Sequence, residues 1–150
     1  MPTLATNKKA LADYTVLEKF ESGIVLSGPE VKSVKGGQVN LKGSYISITP
    51  TRQAYLVGTH ISPYRQAAGI LVNYDPTQQR KLLLHKRELD YLMGKSREKG
   101  LTILPISVYT KGSLIKVELG LVRGKRQYDK RATIKKRQVE RDIRRTMRGK

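Results

Sequence analysis

The strongest constraint on this chain is the alternation of apolar and polar residues on either side of Gly112. Leu104, Ile106 and Val108 alternate with Pro105 and Ser107, and Ile115, Val117, Leu119 and Leu121 alternate with Lys116, Glu118 and Gly120. Successive residues of a strand point to opposite faces, so a period of two buries one face and leaves the other to solvent. The text between the runs, Thr110-Lys111-Gly112-Ser113, is short and contains a glycine. Together the runs predict a β-hairpin, and its buried face needs a second layer or a sheet that curls back on itself.

The rest of the chain supplies more short strands. Residues 14–20 are rich in β-formers, and 23–26 follows after a polar break. Residues 44–49 and 54–61 read as two further strands, bounded by Pro50 and Pro63. Pro29 in the first turn predicts a short helix over 30–35, stopped by Gly36-Gly37. Leu89, Leu92 and Met93 are spaced i, i+3, i+4 and predict a helix over 85–99, capped by Gly100 and entered through Leu82-Leu83-Leu84. Residues 1–13 read as an irregular or briefly helical lead-in. Residues 62–79, with Pro63, Gly69 and Asp75-Pro76, read as the least ordered internal segment. The expected class is mainly β, an OB-like small closed β-barrel, because closure removes sheet edges and presents a face to nucleic acid.

Charge then narrows the partner. Thirty Lys and Arg against twelve Asp and Glu give a formal net charge of +18 over 150 residues. Self-repulsion on that scale points to a polyanion, and nucleic acid fits better than a membrane, because no basic amphipathic helix with a wide apolar face is evident. Residues 125–150 hold twelve cations against Asp129, Glu140 and Asp142, so half of the net charge lies there. The chain therefore divides into a body over 1–124 and a basic C-terminal tail over 125–150. Val139, Ile143 and Met147 recur every fourth residue, a stripe too thin to hold a helix against such repulsion, so the tail is expected to be disordered alone and to fold against RNA. Within 124–131, four cations surround Tyr128, a pattern suited to phosphates and an unpaired base.

Catalytic patterns are not found. There is no Cys, which excludes disulfides and thiolate chemistry. His60 and His85 have no third metal ligand patterned nearby. Gly94-Lys95-Ser96 resembles the end of a phosphate loop, but Leu89 stands where that loop needs its first Gly. Glu18 and Glu21 lack an evident acid or base partner. No cofactor or metal and no enzymatic activity are expected. The opening residues contain no continuous apolar core of a secretory signal, so a cytoplasmic, non-membrane protein is expected.

Specific strings then resemble a known family. They are Phe20-Glu21-Ser22-Gly23-Ile24, the run from Gly28 to Gly37, Ser44-Tyr45, Asp75-Pro76, the run from Arg80 to Leu89, Gly100-Leu101-Thr102, Lys116-Val117, and the run from Arg123 to Arg131. In this order and spacing the chain resembles the small protein B family of SsrA-binding, or tmRNA-binding, proteins over nearly its whole length. The resemblance implies an OB-like barrel with about three flanking helices. It implies binding to the tRNA-like part of transfer-messenger RNA and delivery of that RNA to stalled ribosomes in trans-translation, so that the unfinished chain is tagged for proteolysis. The implied partners are tmRNA and the decoding centre and mRNA channel of the 70S ribosome, with elongation factor Tu admitted on the same RNA and the protein acting as a monomer.

By resemblance, Glu21, Leu83 and His85 match RNA-contacting positions, with Asn frequent at the last of these. Gly28, Lys32 and Lys35 belong to the helix beside them, the lysines as expected phosphate contacts. Gly124, Lys125 and Arg126 form a turn serving both RNA docking and placement of the tail. Tyr128 matches a position that stacks in the decoding centre. Asp129, Lys130, Arg131, Ile134, Lys135, Lys136 and Arg137 match the tail segment that the ribosome reads, helical there. The chain departs from the family at Pro29, Val122 and Val139. Composition alone also allows a structural ribosomal or general RNA-binding protein, tested by which RNA copurifies, and a metal-dependent nuclease, tested by RNA integrity with magnesium.

Overall fold

The computed structural model describes residues 2–64 and 74–125. In chain order these form β1 (Thr3–Thr6), α1 (Lys8–Asp13), β2 (Tyr14–Ile24), α2 (Gly28–Lys35), β3 (Val39–Asn40), β4 (Tyr45–Ile48), β5 (Ala54–Val57), β6 (His60–Ile61), β7 (Arg80–Leu83), α3 (Lys86–Lys95), β8 (Leu101–Lys111) and β9 (Leu114–Gly124). Seven strands make one antiparallel sheet in the order β1-β8-β9-β2-β7-β5-β4, and β3 and β6 pair separately. The described residues form a mainly β fold with three helices, as expected.

The hairpin around Gly112 is the spine of the sheet. Its ladder runs from Lys111↔Leu114 to Leu101↔Arg123, longer at both ends than the apolar alternation alone indicates. Gly112 turns the chain at φ 62°, a conformation that favours glycine. Val117 and Leu119 of β9 are fully buried, and Val34 of α2 and Leu92 of α3 join the same core. A second cluster, Ala10, Leu104, Ile106 and Val122, lies beneath α1. Asn7 fixes that helix. Its side chain accepts from Ala10 N–H at 3.1 Å and donates to the Pro105 carbonyl at 2.9 Å.

The structure corrects several expectations. The closed barrel is not formed, since the ladder ends at β4 on one side and β1 on the other. β4 does lie against β8, so the sheet curls strongly. Among the described residues, however, no ladder joins β4 to β8. The lead-in contains β1, which pairs with β8 over Ser107–Tyr109 and takes that part of its edge. The polar break after Phe20 is absent: β2 is continuous because Glu21 and Gly23 lie on its outer face and Ser22 on its buried face. The strand expected over 54–61 is split at Gly58, whose φ of 82° sends β6 into the small sheet. Arg80–Leu83 is a strand, not a run-up to the helix. The helix α3 ends at Lys95, so Gly100 lies beyond its cap at Ser96.

One buried network positions α2. Ser27 and Glu30 cap the helix reciprocally: Glu30 N–H donates to Ser27 Oγ at 3.3 Å and Ser27 N–H to Glu30 Oε1 at 3.1 Å. The other oxygen, Glu30 Oε2, receives Arg80 Nη2 at 2.7 Å and Nε at 3.0 Å. Tyr74 Oη donates to the same oxygen at 3.0 Å, and Arg80 Nη1 donates to the Thr59 carbonyl at 2.6 Å. Both charged side chains are at most 5% exposed. Part of the segment expected to be least ordered, Tyr74 and the Pro76 carbonyl, is thus bonded into the interior; residues 65–73 lie outside the described residues.

Candidate nucleic-acid interface

The register of the sheet gathers several of the expected site residues on its outer face. Tyr109 pairs with Lys116, Lys116 with Gly23, and Gly23 with Leu83, one row across β8, β9, β2 and β7. Glu21 lies two residues before Gly23 on the same face, opposite Glu118. Leu83 is 54% exposed, although a leucine leading into a helix is ordinarily a core residue. Its side chain lies over Gly23, where a Cβ would come within 3.3 Å of Leu83 Cβ. Around it opens a groove of about 290 Å³ whose rim includes Val31, Leu83, Leu114 and Lys116. Leu114, at the hairpin tip, is 58% exposed.

Glu21 is held from the hairpin. Tyr109 Oη donates to its Oε2, and Lys111 Nζ approaches its Oε1 at 3.2 Å. The tyrosine hydrogen bond, helped by Lys111 and Lys116 against slight desolvation, keeps the Glu21 carboxyl below the usual carboxylate range. Burial and the same carboxylate push the Tyr109 hydroxyl well up. Glu21 is therefore an ionised, oriented acceptor on a face that also bears Lys19, Lys116 and Glu118. Glu18 serves elsewhere: it accepts from Tyr91 Oη at 2.8 Å. The two carboxylates, three residues apart on one strand, have separate tyrosine partners and do not form an acid–base pair.

His85 occupies the N-cap of α3, with its backbone N–H donating to Glu88 Oε1 at 3.2 Å. Its side chain lines a second shallow groove with Phe20, Arg87 and Tyr91. The rings of Phe20 and Tyr91 are 6.0 Å apart and tilted by 48°, offering an aromatic wall. On α2, Lys32 and Lys35 are exposed, and the Lys32 ammonium sits 5.5 Å from the Tyr64 ring centre. Lys32 lines a third groove, with Ser62, Pro63 and Tyr64. Gly28 opens α2, and a Cβ there would meet nothing within 4 Å, so no close approach requires the glycine.

Two further expected residues, Gly124 and Lys125, lie at the opposite end of the sheet from Glu21. Gly124 pairs with Tyr14 at the far end of the β2–β9 ladder, and Lys125 N–H donates to the Asp13 carbonyl at 3.0 Å. Seven residue steps along the strand separate Tyr14 from Glu21, roughly 23 Å at the usual rise. Arg126, Tyr128, Asp129, Lys130, Arg131, Ile134, Lys135, Lys136 and Arg137 lie outside the described residues. Tyr109, Lys111, Leu114 and Lys116 join the face although the sequence reading did not select them. Their signal was present: they are the polar or exposed members of the alternating hairpin. Among the described residues no His, Asp or Glu cluster suits a metal ion, and no helix is long and apolar enough to cross a membrane.

Comparison with known proteins gives one consistent match. The family model described as SmpB protein matches residues 4–149. An SsrA-binding protein of Sulfurihydrogenibium sp. is 50% identical over 147 residues, covering 98% of this chain and 95% of the relative. That of Carboxydothermus hydrogenoformans is 49% identical over 146 residues, covering 97% and 96%. A solved structure described as "tmRNA-SmpB: a journey to the center of the bacterial ribosome" superposes with a TM-score of 0.69 at 41% identity, covering 89% of this chain and 95% of that one.

Proposed function

Because the chain belongs to the SmpB protein family, we propose that it binds the tRNA-like domain of tmRNA and brings that RNA to stalled ribosomes, where the unfinished chain is tagged for proteolysis. The similarity to SsrA-binding proteins over almost the whole chain carries this reading. The ribosome and its empty mRNA channel are the second partner, and the protein works in the cytoplasm where ribosomes do. It acts as a binder and carrier, not as an enzyme.

The body, residues 1–124, grips the RNA. The outer face of β2, β7 and β9 supports this reading, since it presents Glu21, Leu83 and Lys116 together. His85, beside the aromatic wall, and Lys32 and Lys35 of α2 extend the grip. The strong curl of the sheet supports an OB-like description of this body, without the closing ladder. Residues 125–150, with half of the net charge, enter the vacant mRNA channel and become helical there. Gly124, Lys125 and Arg126 orient that arm. Its cations neutralise phosphates, and Tyr128 stacks.

The test separates the two parts. A chain lacking residues 129–150 is expected to bind a tRNA-like tmRNA fragment within about twofold of the full chain yet to add no tag in a reconstituted translation system. Loss of RNA binding and of tagging together would defeat the division of labour. Failure of the full chain to bind the fragment at physiological salt would defeat the function itself.

A further inference from the structure

We propose that the groove between α1 and β4 holds the Tyr128 side chain of the chain's own basic arm while no RNA or ribosome is bound. The inference goes beyond the proposed function, since it concerns the free protein.

An irregularity of the sheet builds this groove. β8 shifts register between Pro105 and Ser107. Asn7, only 5% exposed, meets two carbonyls there: its N–H donates to Ile106 at 2.8 Å and its side-chain amide to Pro105 at 2.9 Å. Those bonds hang α1 beside the sheet, and a groove of about 430 Å³ opens between the helix and the start of β4. Ala10 and Leu104, both buried, form its floor, and Tyr14 and Tyr45 line it. Tyr45 is 49% exposed. An apolar floor beside two aromatic rings, with polar groups at the rim, suits a further tyrosine, which has an apolar body and a hydroxyl tip.

The arm starts at this groove. Gly124 pairs with Tyr14, and Lys125 N–H donates to the Asp13 carbonyl at 3.0 Å. Asp13 and Tyr14 both belong to the lining. Tyr128 comes three residues after Lys125, a reach of at most about 11 Å, and is the only aromatic or aliphatic residue in 126–131. A tether that short gives an effective concentration of about a millimolar or more, so even a weak contact is filled. A nucleotide fits less well, because the lining sets one cation, Lys9, against the Asp13 carboxylate and offers phosphate no net attraction. Docking takes up residues 126–128 alone and leaves the cations beyond them for a partner. The tyrosine proposed to stack on the ribosome is thereby covered until the arm is engaged.

The chain contains no tryptophan, so Tyr128→Trp supplies a single reporter. In the full chain without RNA, its acrylamide quenching constant is expected to be at most about half that of the same protein unfolded in urea, as a tethered contact filled most of the time requires. Adding Tyr45→Ala, at a half-exposed position that the fold does not depend on, should remove most of this protection. A second measurement keeps the native tyrosine as its reference: Tyr128→Ser should shift the amide resonances of Lys9, Ser44 and Tyr45 and leave those of Glu21 and Lys116 in place. If the tryptophan is quenched as freely as in urea, or stays protected after Tyr45→Ala, or Tyr128→Ser moves none of the three amides, the docking is refuted. If Tyr45→Ala leaves the quenching unchanged and instead weakens binding of a tRNA-like fragment, the groove serves RNA and the docking is equally refuted. None of these results bears on whether the body binds tmRNA, which the truncated chain tests separately.

Discussion

At the scale of single residues, exposure and close contact separate side chains that bind from side chains that hold. Leu83 is 54% exposed. Leu83→Ala is therefore expected to change stability by no more than about 0.5 kcal/mol. Binding of a tRNA-like RNA should nevertheless weaken by roughly tenfold, the scale of one lost base contact. Urea denaturation and RNA titration of the same preparation check both halves. Gly120 is the converse case. A Cβ there would stand 2.9 Å from Cγ1 and Cδ1 of Ile106, in the cluster beneath α1. Gly120→Ala should lower stability by about 1–3 kcal/mol through overpacking, and RNA affinity should be unchanged at temperatures where the variant is folded. The resemblance marked Leu83, but composition favoured burial for it. No sequence signal marked Gly120, because its constraint comes from a side chain on the neighbouring strand.

At the scale of elements, the Glu30–Arg80 pair joins α2 to β7. Burial disfavours the charge on Glu30, but the Ser27 N–H, Arg80 and Tyr74 outweigh it, and the carboxyl is held below its ordinary 4.5. The same burial and carboxylate push the Tyr74 hydroxyl up to about 12. A lowered carboxyl stabilises the folded state fully above 4.5 and loses that contribution as the pH falls through its folded value. Glu30→Gln leaves Arg80 buried without its counter-charge and should cost about 3–5 kcal/mol near neutral pH. In thermal melts, the gap between the two proteins should narrow as the pH drops below 4.5. A constant gap would show that the ionised carboxylate is not what the network depends on. The hairpin and the helices α2 and α3 were legible in sequence, since each has a clear period or cap. β7 was not, because a four-residue strand beginning with a buried arginine carries no alternation that a reader can trust. The closed barrel was a reasonable expectation from the number of strands. In the structure β4 lies beside β8 without a ladder between them, and β1, hidden in an unremarkable lead-in, takes the Ser107–Tyr109 part of that edge.

At the scale of the whole molecule, charge is divided between two parts. Of the net +18, residues 125–150 contribute +9 and the body the rest. If the body alone grips the tRNA-like RNA, its affinity should fall at least tenfold between about 50 and 200 mM salt, through release of counterions from several phosphates. Removing residues 129–150 should then leave the slope of log affinity against log salt nearly unaltered. A marked drop in slope would reveal arm cations bound to that RNA. The division between body and arm was legible from charge alone, whereas the face that gathers Glu21, Leu83 and Lys116 depended on strand register, which no single segment specifies.

The long β2–β9 ladder, with one bulge between Val16 and Glu18, has a mechanical consequence. It holds Glu21 near one end and Gly124 at the other, with backbone hydrogen bonds along its length and the core behind it. Such a ladder is a strut: its length is set by strand rise, and it does not telescope. In the proposed task, it fixes how far from the gripped RNA the cationic arm departs, so the protein measures a distance as well as making contacts.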